Sequence, residues 1–324
     1  MNRTREPLVS VVTLTYNRKQ HVLELMEWLH EQDYPNLEIV VVDNASPDGT
    51  ADAVEQRYPK VRVIRSPQNL GYPAYTFGVA NARGEYLFII DDDGLPADTE
   101  LISRMVDKFE ANQRLAVAAC VIRMRDTGRV AYDSPQCLPT GDPDHGYPCA
   151  AYNGTGAGLR ASAVKALGFF PRHSFVTQTI TWIELHLCAR LLDAGWEVRC
   201  FPDLEVWHSR PSGSVDHPMT FHGIREYLWF VWSLYPVGAV VRETLRFVGS
   251  QAKAVAAGRL PAGILLRGIG SALIGWRHVA PERRPIQWST LAYLERARRQ
   301  SDRAILVPPQ RPFQPLSDVM RETS

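Results

Sequence analysis

The stretch Tyr86-Leu-Phe-Ile-Ile-Asp-Asp-Asp-Gly-Leu-Pro96 decides how the rest of the chain is read. Five residues of strong strand character, apolar on both faces, run straight into three carboxylates, and a Gly and a Pro then stop the strand. An unbroken apolar run is the pattern of a parallel strand buried on both faces, and open α/β sheets bind their ligands outside the carboxyl ends of such strands. Three adjacent acids repel one another unless a cation neutralises them. Hard oxygen ligands on alternate residues, Asp91 and Asp93, suit Mg²⁺ or Mn²⁺, which would bridge a substrate diphosphate. A solvated acidic turn ahead of a helix would use the same three residues, so the flanking chain has to decide.

Upstream, Leu8-Val-Ser-Val-Val-Thr-Leu-Thr15 is a strand-forming run broken by Tyr16-Asn-Arg18. Val22, Leu25, Met26 and Leu29 then recur at helical spacing. The turn Asp33-Tyr-Pro-Asn36 leads to a second strand, Leu37–Val42, and the small polar loop Asp43–Thr50 opens a helix over 50–57. Val61–Ile64 reads as a third strand, and residues 73–83 as a helix closed by Gly84. Strands alternating with helical patterns imply βαβ units and a parallel sheet. Downstream, 99–111 reads as helix, Leu115–Met124 as extended, and 126–150 as turn-rich and mobile in part. Asn153-Gly-Thr-Gly-Ala-Gly158 is a Gly-rich loop where backbone could approach a ligand closely, but its spacing and its preceding segment do not make a dinucleotide fingerprint. A helix over 182–194 capped by Gly195 and a short strand, Val198–Phe201, precede Trp207-His208.

The 324 residues suffice for one large domain or two smaller ones, and 45% apolar with 22% charged residues is ordinary for a globular protein. Five cysteines without a CxxC pair fit free thiols in a reducing cytoplasm better than a disulfide framework or a zinc site. The N-terminal residues enter the first strand without the apolar region of a signal peptide. The net charge of +1 conceals an asymmetry. Residues 217–324 hold 15 Lys and Arg against 7 Asp and Glu, a net of +8, which leaves −7 for residues 1–216. Such a basic tail suits an anionic surface or polyanionic ligand. Its two uncharged or nearly uncharged runs, Tyr227–Val241 and Leu260–Trp276, fall short of the roughly 20 apolar residues of a spanning helix. They read as a buried helical subdomain or as interfacial, peripheral membrane segments on a cytoplasmic face.

Taken together, several of these motifs resemble family 2 glycosyltransferases, inverting enzymes of the GT-A fold that use nucleotide-diphosphate sugars. The resemblance covers residues 8–210. It rests on Val9–Asn17, Glu38–Thr50, Asn69-Leu-Gly-Tyr72, Ala82–Asp93, Glu184 with Arg190–Trp196, and Pro202 with Trp207-His208, in that order. It implies an α/β, GT-A type, Rossmann-like and mostly parallel sheet flanked by helices. A catalytic domain would occupy 1–216, with a nucleotide-binding half over 1–98 and an acceptor half over 99–216, and a helical extension would follow over 217–324. It further implies that Tyr16 stacks on a uracil or thymine base and that Asp43 accepts the base's imide N–H, although an aromatic at a sheet margin and a turn-forming Asp would look the same. Thr15, Asn17, Asn69, Gly71 and Asp92 would line the donor site. Asp91 and Asp93, with His208, would hold Mg²⁺ or Mn²⁺ on the diphosphate of a UDP- or dTDP-sugar.

The resemblance places the catalytic base, which must stand opposite the leaving group, at Glu184. Members of the family often carry Glu-Asp-x-Asp-Leu-x-x-Arg here. Counting back from Arg190 puts Glu184 at the base position and His186 where an Asp usually follows. Trp182, Ile183 and Leu185 would give Glu184 an apolar setting that raises its pKa towards neutrality. The implied acceptor is a glycan, glycolipid or small molecule, and nothing points to nucleic acid. Two other functions fit parts of the pattern. A sugar-phosphate nucleotidyltransferase would carry a Gly-rich phosphate loop after the first strand, and Thr15-Tyr-Asn-Arg18 has no glycine. A non-catalytic nucleotide-sugar binder would keep the fold without needing Glu184.

Overall fold

A computed structural model of the chain describes residues 5–131, 135, 137–172, 182–209, 219–300 and 312–322. The expected 216/217 boundary lies outside the described residues. Its framework is a nine-stranded sheet in the order β3-β2-β1-β4-β8-β6-β9-β5, with β7 paired on β9. The strands are β1 Val9–Thr15, β2 Leu37–Asp43, β3 Arg62–Arg65, β4 Tyr86–Ile89, β5 Gly94–Pro96, β6 Leu115–Met124, β7 Tyr147–Pro148, β8 Ala157–Arg160 and β9 Glu197–His208.

The first four strands are joined by βαβ crossovers and pair in parallel. Because they are buried on both faces, alternate side chains feed opposite cores. Val9, Val11, Ile39, Val41 and Phe88 enter one, and Val12, Val40, Leu87 and Ile89 the other. Helices α1 (Lys19–His30), α2 (Thr50–Arg57) and α4 (Leu101–Ala111) cover the first face, and α3 (Tyr75–Asn81), α5 (Ala161–Leu167) and α6 (Ile183–Asp193) cover the second.

Beyond β4 the sheet is mixed. The chain passes from β6 to β8 through a long connection with no α-helix among the described residues, and β8 runs antiparallel to both β4 and β6. Gly94 and Pro96 do not end the strand that the acidic triplet follows. That strand stops at Ile89, a turn closes with Gly94 N–H on the Asp91 carbonyl at 3.0 Å, and Gly94–Pro96 becomes β5 on the end of β9. β9 itself runs through Pro202, which interior strands exclude. It is tolerated because the pairing with β6 skips from Phe201 to Glu205 in a bulge. The turn-rich segment after β6 is tied down where described by an antiparallel backbone bridge between Cys137 and Cys149, whose free thiols are both buried.

The chain then forms α7 (Phe221–Leu234), α8 (Val237–Ala256), α9 (Ala262–Val279) and α10 (Trp288–Gln300), and α11 (Leu316–Glu322) returns to the first core. Helices α7 to α10 share a third core around Leu228, Trp229, Phe230 and Leu234. Among the described residues, no helix is long and apolar enough to cross a membrane.

Candidate functional site

The carboxyl ends of β1, β2 and β4 open on one edge, and strand order reverses at β1, between β2 and β4. That is where doubly wound sheets leave a crevice. Asp43 is the last residue of β2, and its Oδ2 accepts Ser46 N–H at 3.2 Å. Its Oδ1 is buried and has no hydrogen-bond partner. A buried carboxylate oxygen left unpaired is costly unless a ligand supplies the donor. Tyr16, 45% exposed, stands beside it at the end of β1, and Asn17 adopts a left-handed φ of 54° while its N–H bonds Ser46 Oγ. Asn69 and Gly71 are organised by a residue that the motifs did not single out. Asn44 donates to Asn69 Oδ1 at 2.9 Å and to the Gly71 carbonyl at 3.2 Å, and its own Oδ1 accepts Leu70 N–H. Asn69 Oδ1 also accepts Gly71 N–H, so Asn69 shapes this loop from within.

The three acids have three different environments. Asp92 is buried and accepts Thr15 Oγ1–H at 2.8 Å and an Arg18 N–H at 3.0 Å. It therefore fastens β1 to the turn after β4. Burial pushes its pKa up, with Arg18 opposing. Asp93 accepts Arg18 Nη1–H at 2.8 Å and lies 3.4 Å from His208 Nε2, which β5 and β9 bring opposite it. Burial works against ionisation of Asp93, but the hydrogen bond and charge of His208, then Arg18, hold it below the usual range. Asp91 accepts Tyr75 Oη–H at 3.1 Å and Thr155 Oγ1–H at 3.2 Å. Burial, and next the like charge of Asp93, raise it to about 6. Arg18 thus neutralises part of the cluster and leaves Asp91 short of a counter-charge.

Among the described residues, no three His, Cys, Asp or Glu side chains already converge as a metal site. The donors nevertheless suit a hard divalent cation. They are Asp91, whose carboxylate is short of a counter-charge, Asp93 beside it, and the His208 imidazole, whose Nε2 faces Asp93.

Glu184, in the first turn of α6, receives Tyr72 Oη–H at 3.3 Å. The Tyr72 and Tyr75 rings meet edge to face at 4.8 Å, so one hydroxyl serves Glu184 and the next serves Asp91. Burial, then Glu184 and Asp91, raise the Tyr72 phenol well above its ordinary value, which keeps it a donor. The sequence neighbours of Glu184 turn elsewhere. Ile183 is buried in the second core, and Trp182 donates to the Gly223 carbonyl. The Gly-rich loop approaches protein groups. A Cβ on Gly154 would overlap the Tyr72 hydroxyl and come within 3.1 Å of Glu184 Oε1, and one on Gly156 would lie 2.6 Å from a Val206 methyl. His186, two residues along α6, is buried and lines a cavity of about 640 Å³ with Arg190, Arg284, His278 and Glu282. Phe170 separates this cavity from the Tyr72 side, its ring 5.5 Å from that of Tyr72.

Arg18, Tyr72, Tyr75 and Thr155 were not among the expected site residues. Tyr72 closed a recognised motif and Arg18 stood one residue past another. Their partners are 74 and 112 residues away, and no local pattern reports such a pairing.

The mixed α/β fold places an acidic edge at its topological switch point, and comparison with known proteins gives the family. Residues 10–168, just under half of the chain, match the family model for Glycosyl transferase family 2, and this region belongs to that family. Its curated relatives include the glycosyltransferase EpsJ of Bacillus subtilis (strain 168), described as uncharacterized, at 28% identity over 133 residues, 40% of this chain and 38% of that protein. The chain's match spans less than two fifths of the length of such relatives. Among solved structures, Staphylococcus aureus TarS residues 1–349 in complex with UDP-GlcNAc superposes with a TM-score of 0.61 at 17% identity, covering 90% of this chain and 88% of that one. The mannosyltransferase PcManGT from Pyrobaculum calidifontis, in complex with GDP-Man and Mn²⁺, gives 0.55 at 23% identity, covering 91% and 87%. At these identities the structural likeness establishes the shared fold.

Proposed function

We propose that the chain is an inverting glycosyltransferase that moves a sugar from a UDP- or dTDP-sugar to a hydroxyl of a glycan, glycolipid or small molecule. The observation that carries this reading is the pair of carboxylates flanking Tyr72 and Tyr75, Glu184 on one hydroxyl and Asp91 on the other. The UDP-GlcNAc and GDP-Man of the two solved neighbours support a nucleotide-sugar donor. The unpaired buried oxygen of Asp43 supports a pyrimidine base, whose imide N–H it would accept, with the exposed Tyr16 ring beside it. Five buried free thiols support a reducing, cytoplasmic setting. A third core in α7–α10, which also takes in Ala189 of α6, supports a helical extension packed against the catalytic part.

Glu184 would take the proton from the acceptor hydroxyl as its oxygen bonds to the anomeric carbon and the bond from that carbon to the diphosphate oxygen breaks. The tyrosine hydroxyl on Glu184 fixes the carboxylate's direction. Asp91, Asp93 and His208 would hold a divalent cation, Mg²⁺ or Mn²⁺, which when bound supplies Lewis-acid stabilisation of the departing diphosphate. Arg18 and Thr15 would position this edge through Asp92.

The test combines a panel of nucleotide sugars, with and without Mn²⁺, and the variant Glu184→Gln. Donor binding should be nearly unchanged in the variant while transfer falls by about 10²-fold or more, because a base acts in the transition state. Transfer at the parent rate would move the base elsewhere. Asp203 is already paired with Lys108 at 2.9 Å, which leaves His186 as the next candidate to test. A parent that binds donor tightly but transfers to no acceptor would be a binder and not an enzyme.

A further inference from the structure

Seven of the nine large apolar side chains exposed among the described residues lie between positions 237 and 288. On α8 they recur every fourth residue, at Val237, Val241 and Leu245, which are 73%, 59% and 69% exposed. On α9, Leu266 and Leu273 are two turns apart with Ile274 alongside. The two stripes are continuous, because Val237 and Val241 share an apolar groove of about 400 Å³ with Leu273 and Trp276. Trp288 extends the patch over Gly238.

The charge around this patch is predominantly positive. Residues 219–300 carry 12 Lys and Arg against 4 Glu and no Asp, so the whole +8 of the C-terminal part resides here. Three of those glutamates are already engaged. Glu226 pairs with Arg225, Glu243 with Arg246 and Arg298, and Glu295 with Arg242 and Arg299. Arg283, which lines the groove, spends its guanidinium on the Trp232 and Tyr235 carbonyls. Lys253, Arg267 and Arg277 make no ion pair with a carboxylate among the described residues, and each is exposed within about two turns of the apolar stripe. An apolar stripe edged by unneutralised cations is the pattern of a helix that lies in a membrane interface.

We infer that α8 and α9 form an interfacial docking surface for an anionic lipid bilayer. A second copy of the chain is disfavoured as the occupant, because it would bring the cations that edge one patch, Lys253, Arg267 and Arg277, against the same cations of the other. Neither helix is long and apolar enough to cross a membrane. The inference does not depend on the sugar-transfer reading.

The test is co-sedimentation of the full chain with vesicles of phosphatidylcholine alone or with about one-third phosphatidylglycerol, at low and high salt. Binding to the anionic vesicles should exceed binding to neutral ones by about tenfold or more and weaken with salt. Val241→Glu with Leu273→Glu should lower it by about tenfold or more, with an unchanged thermal melt because both positions are exposed. Lys253→Gln with Arg277→Gln should reduce the preference for anionic lipid and leave the melt unchanged. Absence of binding to anionic vesicles at low salt would overturn the proposal. So would a concentration-dependent dimer, seen by sedimentation velocity, that Val241→Glu dissociates.

Discussion

Asp91→Asn should make the protein more stable and less able to bind its donor. The wild-type carboxyl is raised from its ordinary value near 3.8 to about 6, by burial first and then by the like charge of Asp93. The folded chain therefore holds this proton more tightly than the unfolded chain does. Stability falls as pH rises from about 4 to about 6 and stays down above that, by about 3 kcal/mol at 1.36 kcal/mol per tenfold change. Asparagine keeps an oxygen for the Tyr75 hydroxyl and offers an N–H to the Thr155 hydroxyl, which can rotate to accept it, so the local hydrogen bonds survive. The variant should gain nothing near pH 4 and up to about 3 kcal/mol at pH 7, a rise of several degrees in Tm.

A bound cation with its diphosphate would remove the same electrostatic cost in the parent. At about a hundred times its Kd, a ligand stabilises by about 2.7 kcal/mol, close to the deficit. Thermal melts of parent and variant across pH 4–8, with and without Mn²⁺ and UDP, test both halves. The parent should respond to the pair and the variant should not. A variant that melts at or below the parent at pH 7 would refute the electrostatic reasoning, and an equal response to Mn²⁺ and UDP would refute the role given to Asp91.

The parallel half of the fold was legible because its strands are apolar on both faces and its helices carry apolar residues every third or fourth position. Val9–Thr15, Leu37–Asp43 and α6 fall within a residue or two of their expected bounds. In the mixed half β6 keeps its expected bounds, Leu115–Met124, but β5, β8 and the full length of β9 were not legible, for identifiable reasons. β5 is three residues containing a Gly and a Pro, which read locally as a stop. β8 begins inside a Gly-rich loop, and its glycines are there because Val206 and Met105 crowd them from distant elements. β9 contains a proline that only its bulge explains. In the site, the acids and His208 were recognised by motif, but the division of labour among them was not. That Asp92 faces Thr15 and Arg18, and Asp91 faces Tyr75, depends on which way a tight turn aims three consecutive side chains.

Three further outcomes follow from the same geometry. Asp43→Asn must keep its oxygen on Ser46 N–H, which turns its amide N–H₂ towards the vacant acceptor position. UDP affinity by calorimetry should then fall about tenfold or more, and an unchanged affinity would remove Asp43 from base recognition. Gly154→Ala forces Tyr72 off Glu184, so kcat should fall by about tenfold or more while donor affinity changes little, and a parent-like kcat would show that Tyr72 does not orient the base. Glu243→Gln tests the helical extension. Glu243 on α8 is 2% exposed and ties three helices together through Tyr227 of α7, Arg246 of α8 and Arg298 of α10. Burial works against its charge, but the bond from Arg246, then Tyr227, holds its carboxyl below the ordinary range. That stabilisation is present above the unfolded value near 4.5 and is lost as pH falls through the lower folded one. Glutamine would remove the counter-charge and set amide donors against guanidinium donors. Because Arg246 and Arg298 are each nearly half exposed, water screens part of the loss, which should come to about 1–3 kcal/mol rather than the full cost of a buried broken pair. Melts at pH 7 should separate parent from variant by a few degrees, and the gap should close as pH falls towards 3. A gap that stays constant across that range would mean that packing, and not the carboxylate, holds these helices together.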